Sequence, residues 1–227
     1  MWHNLNLIME IFMKLNFKNI AELQDAIKRL DIKMVDLRFT DIPGTLQHFT
    51  VPIRYLKDKL FSEGLGFDGS SIRGFQEIHE SDMLAIPDIS TCYLDPFASE
   101  KTIVFHCNIK DPITNNSYIN DPRFIAKKAE EYLKLSGIGD EIFFGPEAEF
   151  FIFNDVKYDS GTNFSFYEVD SKEGTWNTGS DESPNLGHKP KIKGGYFPLP
   201  PNDSLNDIRT EMVLTLEEIG VNVEAHH

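Results

Sequence analysis

The sequence predicts an α+β protein of two domains. Three observations support this. The 227 residues suit one large or two modest cores, and two is the better starting point. Runs of period-two and of helical apolar spacing occur side by side, and a polar, proline-marked junction near Asp121 and Pro122 separates two sets of them. The composition, 41% hydrophobic and 26% charged, is that of an ordinary globular chain.

The elements follow in order. Asn19 can cap a helix through about Leu30, in which Ile20, Leu23, Ile27 and Leu30 recur at helical spacing. MVDLRFTD then alternates Val35, Leu37 and Phe39 with Asp36, Arg38 and Thr40, and DIPGT turns it into the strand-like LQHFTVPI, giving a hairpin. A short helix around YLKDKLFSEG stops at Gly64, FDGSSIRGF reads as a loop, and KTIVFHCNI is a further strand. After the junction, a helix from about Arg123 to Ser136 offers Phe124, Ala129, Tyr132 and Leu133 for packing. FGPEAEFFIF reads as a strand, Asn154 to Gly195 as a long excursion with short strands, and NDSLNDIRTEMVLTLEEIG as a helix lined by Ile208, Met212, Leu216 and Ile219. The closing VNVEAHH alternates as a strand and carries no turn signal.

Composition excludes several classes. A net charge of -14 argues against a general nucleic-acid binder, because phosphate backbones attract clustered Lys and Arg. The only two cysteines, Cys92 and Cys107, lack the close spacing that builds zinc sites or disulfide scaffolds, so a reducing cytoplasm fits. LNLIMEIFMKLNF is interrupted by Glu10 and Lys14 and lacks a small-residue cleavage site, so it does not read as a signal peptide. No apolar run reaches the roughly 20 residues of a membrane-spanning helix, so no membrane partner is expected.

FGPEAEFFIF raises the sharpest chemical question. On a strand, Glu147 and Glu149 share a face with Phe151 and Phe153, while Ala148, Phe150 and Ile152 fill the other. Two carboxylates in so apolar a segment need compensation by cations or hydrogen bonds, unless the strand end is simply hydrated. Their spacing of about 6.6 Å suits neighbouring ions in a two-metal cluster, and oxygen donors select Mg2+ or Mn2+. On the last strand, Glu224 and His226 share a face. His48, His79, His106 and His188 show no ligand spacing.

FDGSSIRGFQEIHESDM, FGPEAEFFIF, NLGHKPKIKGGYFPLPP and VNVEAHH occur in that order, and together they resemble the successive signatures of bacterial type I glutamine synthetase. The resemblance runs from about Met13 to His227 and implies the N-terminal half of a subunit. It implies an N-terminal extension at 1–15, a β-grasp domain at 16–121, and at 122–227 the beginning of a truncated catalytic domain built on an antiparallel sheet with helices. The implied activity joins glutamate and ammonia with ATP through γ-glutamyl phosphate. By motif match Glu147 and Glu149 are ligands of two different divalent ions, Mg2+ or Mn2+; Glu224 contacts the nucleotide; and Asp68 binds ammonium and promotes its deprotonation. GGYFPLPP shapes the site without doing chemistry. The implied partners are glutamate, ammonium and ATP, and the implied assembly is a cytoplasmic homo-oligomer, a dodecamer of two hexameric rings.

Some residues depart from the pattern. The histidine run stops at His227, one residue short of the step that leads to another ligand glutamate, so the chain by itself is expected to be inactive. Glu77 stands where one feedback-regulated subtype has arginine, whereas the excursion from Asn154 resembles the subtype often controlled by adenylylation. Three other readings remain open: a γ-glutamyl ligase for an amine or polyamine, a non-catalytic module that joins intact subunits, and a glycosidase. Asp68 favours ammonia over the amine, and strand neighbours such as Glu147 and Glu149 do not face each other across a sugar as a glycosidase pair does.

Overall fold

A computed structural model of the chain describes residues 14–17, 19–76, 81–177 and 188–227. By backbone proximity it divides into two units, one reaching residue 143 and including 218–221, the other comprising 144–217 and 222–227. No helix among the described residues is long and apolar enough to cross a membrane.

The first unit is a mixed sheet under a helix. Helix α1 (Ile20–Leu30) starts where the Asn19 side chain accepts the Glu22 N–H at 3.0 Å, and ends at Asp31 in the left-handed region, whose N–H returns to Ile27 and Lys28. Strands β1 (Met34–Thr40) and β2 (Leu46–Pro52) form the expected hairpin, and the Asp41 carboxylate closes its turn on the Thr45 N–H. Helix α2 (Asp58–Glu63) stops at Gly64, where a Cβ would come within 2.4 Å of Ile86 Cδ1 and the backbone has a positive φ. Strands β3 (Leu65–Asp68), β4 (Asp82–Pro87), β5 (Tyr93–Leu94) and β6 (Thr102–Lys110) complete the sheet.

The order is β2-β1-β6-β4-β3, with β5 also on β6. The β1–β6 pair is parallel and the others are antiparallel. Val35, Leu37, Ile103 and Phe105 are fully buried against Leu23 of α1. Each such side chain stabilises the fold by about 1.5–3 kcal/mol. The opposite side of β1 is also covered. Asp36 is 2% exposed and accepts hydrogen bonds from Arg38, His48 and Thr50 at 2.6, 2.7 and 2.8 Å. Arg38 continues to the Tyr93 hydroxyl and to Asp95. Burial alone would raise the Asp36 carboxyl, but these donors outweigh it and hold it below the usual carboxylate range.

Helix α3 (Pro122–Ser136) begins at Asp121 and ends at Gly137, as its proline and glycine signals require. Its expected packing residues are not buried. Tyr132 is 73% exposed, and no residue of α3 is buried. Its tie to the sheet is polar and lies at its start. Arg123 pairs with Asp88 at 2.5 Å, and Arg123 and Lys127 both reach Asn108.

The second unit contains the hairpin of β7 (Asp155–Ser160) and β8 (Ser165–Asp170), the short strands expected inside the excursion, and all but the last residue of helix α4 (Asn206–Glu218). Two strand expectations fail here. Residues 144–153 and 221–227 form no strand, because among the described residues no ladder partner runs beside either one. An extended segment without a neighbour has no backbone partners to define it as sheet.

Candidate functional site

Asp68 ends β3, and its surroundings follow from the FDGSS sequence. Its Oδ1 accepts the Ser70 N–H at 2.9 Å and the Ser70 hydroxyl at 2.6 Å, and Oδ2 lies 3.5 Å from the Ser71 hydroxyl. The carboxylate thereby caps the 3-10 turn Gly69–Ser71. Gly69 has a steric reason to be glycine. A Cβ there would sit 2.6 Å from Met83 Sδ, and its N–H is held by the Ser81 carbonyl. The stretch read as a loop is therefore a strand end plus a packed turn. The Ser70 hydroxyl first, then the Ser70 N–H, hold the exposed Asp68 carboxyl below its ordinary range. It stands as a fixed anion with free lone pairs. Sequence reasoning named Asp68 but missed Ser70 and Ser71, although an aspartate two and three residues before serines signals such a turn.

Glu147 and Glu149 lie in the second unit, and both are exposed. The Phe151 and Phe153 rings stack 5.9 Å apart at 8°, so two-residue alternation holds locally without a ladder. The carboxylate oxygens suit a hard divalent ion in kind. In number they fall short, since among the described residues no group of three or more His, Cys, Asp or Glu could hold a metal.

Glu224 is also exposed, in a segment attached to α4. The Val223 N–H donates to Glu217 Oε1 at 2.6 Å. Arg209 Nε lies 3.3 Å from His226 Nδ1, and Thr210 Oγ1 lies 3.3 Å from His226 Nε2. His227 stacks on Phe197 at 4.2 Å and meets the edge of Tyr196 at 5.0 Å, so GGYFPLPP packs on the end of VNVEAHH. Among the histidines without ligand spacing, His48 serves Asp36. Glu77, His79 and the Asn185–Gly187 part of the third signature lie outside the described residues.

These features define an α+β chain with a β-grasp first unit and exposed carboxylates at Asp68, Glu147, Glu149 and Glu224. Residues 31–112 match the glutamine synthetase β-Grasp domain and residues 119–227 match the glutamine synthetase catalytic domain. The glutamine synthetase of Frankia alni is 52% identical over 212 residues, which are 93% of this chain and 45% of that protein. That of Escherichia coli (strain K12) is 50% identical over 198 residues, 87% of this chain and 42% of that protein. A cryo-EM structure of Plasmodium falciparum glutamine synthetase superimposes with a TM-score of 0.80 at 27% identity, covering 94% of this chain and 42% of that one. The chain belongs to the glutamine synthetase family and corresponds to its N-terminal portion. It spans less than half the length of the curated relatives it matches.

Proposed function

We propose that this chain forms part of a glutamate–ammonia ligase, which makes glutamine from glutamate, ammonia and ATP through γ-glutamyl phosphate in a cytoplasmic homo-oligomer of two hexameric rings. The observation that carries this reading is Asp68. Its carboxylate is exposed, and the Ser70 hydroxyl and N–H orient it and hold it below its ordinary range, which suits a group that gathers the ammonium cation. The match of Asp68 to the family's ammonium position favours ammonia over an amine or polyamine.

The remaining assignments follow from the family. Glu147 and Glu149 would hold two Mg2+ or Mn2+ ions together with donors beyond the described residues, and Glu224 would contact the nucleotide. Bound ions would neutralise charge on the transferring phosphoryl group. The junction between the two domains is assigned to 121/122, and residues 1–15 are assigned to an N-terminal extension.

Ammonium kinetics of the full-length protein test the reading. Asp68→Asn keeps the volume and removes the charge. We expect kcat/KM for ammonium to fall about 10²–10⁴-fold, with ATP affinity nearly unchanged. An unaltered ammonium dependence would overturn the assignment.

A further inference from the structure

The segment bearing Glu224 is tied to α4 at two points. The Val223 N–H donates to Glu217 near one end, and the His226 ring lies between Arg209 and Thr210 near the other. From Thr210 to Glu217 the helix rises about 10.5 Å. From Val223 to His226 an extended chain reaches about 10 Å. Both ties therefore close without distortion of either partner.

The chemistry of the partners fixes the direction of each hydrogen bond. A guanidinium N–H can only donate, so His226 Nδ1 accepts from Arg209 and carries no proton. In the neutral ring the proton then sits on Nε2 and is donated to Thr210 Oγ1. Thr210 is free to accept because its own hydroxyl hydrogen goes to the Asn206 carbonyl at 2.9 Å, as helical threonines commonly arrange. Arg209 is in turn held by an ion pair with Asp203, with the side chains only 15% and 12% exposed. The donor is thus oriented before it meets the ring.

We propose that Arg209 and Thr210 are positioning residues that fix His226 as its Nε2–H tautomer. They thereby hold Glu224, which sits between the two tied residues, at a set place beside α4. This rests on the reading of Glu224 as a nucleotide contact. Neither Arg209 nor Thr210 need touch the nucleotide itself.

The experiment has a structural arm and a binding arm, both in the full-length protein. Nitrogen NMR of 15N-histidine-labelled protein reads the tautomer of His226, assigned by the signal that the substitution His226→Gln removes. We expect Nε2–H in the wild type and a mixture of tautomers in Arg209→Met. Calorimetric ATP affinity in Arg209→Met should fall about tenfold or more while the KM for glutamate stays within about twofold. Thr210→Val should behave similarly, and Thr210→Ser should restore the wild-type values. A wild-type proton on Nδ1 overturns the proposal whether or not the Arg209 and Thr210 variants fold. A tautomer that responds without loss of ATP affinity, where Glu224→Gln does lose it, overturns the positioning role. If Glu224→Gln leaves ATP affinity intact, the nucleotide reading fails, and the tautomer arm alone then decides the clamp.

Discussion

Replacing Asp121 with alanine should separate β6 from the start of α3. The side chain is 1% exposed, with Oδ2 accepting the Ile109 N–H at 3.0 Å and Oδ1 accepting the Arg123 N–H at 2.9 Å. Asp121→Ala removes both acceptors. Loss of the helix cap costs about 1 kcal/mol. Leaving the buried Ile109 N–H unpaired costs about 1–3 kcal/mol more. With a urea dependence of about 2 kcal/mol per molar, a combined loss of about 2–4 kcal/mol lowers the midpoint by about 1–2 M. Urea titration followed by circular dichroism measures it, and hydrogen exchange at Ile109 should accelerate in step. Asp121→Asn is the informative companion, because its amide keeps one acceptor and turns a donor toward the other N–H. An Asp121→Ala midpoint within about 0.3 M of wild type would refute the reasoning.

Three other outcomes are expected. Acid should destabilise the fold: the Asp36, Asp88 and Asp203 carboxyls lie below their ordinary range when folded, so their contribution is present above the unfolded value and lost as pH falls through the folded one. Asp121, raised by burial, has the opposite sign: its contribution is full below the unfolded value and lost as pH rises through its folded one, a partial offset visible in a thermal-melt series from about pH 5 to about pH 2. Burial pushes the Cys92 and Cys107 thiols up to about 12, so a thiol reagent at neutral pH should label neither until the chain is unfolded. Leu37→Ala, at a fully buried position on β1, should cost about 2–5 kcal/mol by denaturant titration.

Much of the first unit was legible in the sequence. Asn19, the DIPGT turn and the Pro122 junction act through local backbone geometry, which a single chain segment carries by itself. Strands β3 and β4 were not read, because LGFD and DMLAIP are short and carry glycine or proline; β4 is placed by β6, far away in sequence, and β3 by its pairing with β4. Asp36 illustrates the same limit. Alternation separates it from Leu37, but only the folded sheet brings His48 and Thr50 to it. Of the candidate site, the acidic candidates could be picked out in the sequence, while the Ser70 brace on Asp68 and the Arg209 tie to His226 needed three-dimensional proximity.

Among the described residues, every buried hydrophobic side chain lies between Leu23 and Tyr118. The later apolar pattern is real but uncovered: Phe144 and Phe151 are more than four-fifths exposed, and α4 leaves Ile208 and Met212 partly open. Glu147 and Glu149 show the same shortfall in a different currency of contact, having donors of the right kind in too small a number. One kind of neighbour would remedy both. A strand laid beside 144–153 would give the segment a ladder, cover one apolar face, and bring further oxygen donors near the glutamates. Metal binding and strand formation should then be linked, since an ion that binds only the assembled form stabilises it. In the full-length protein, Mn2+ should slow amide exchange across residues 147–153, and electron paramagnetic resonance should count one tight ion fewer in Glu147→Gln and in Glu149→Gln. If both single variants keep the full count and the exchange protection, these carboxylates are hydrated surface groups and the metal assignment falls.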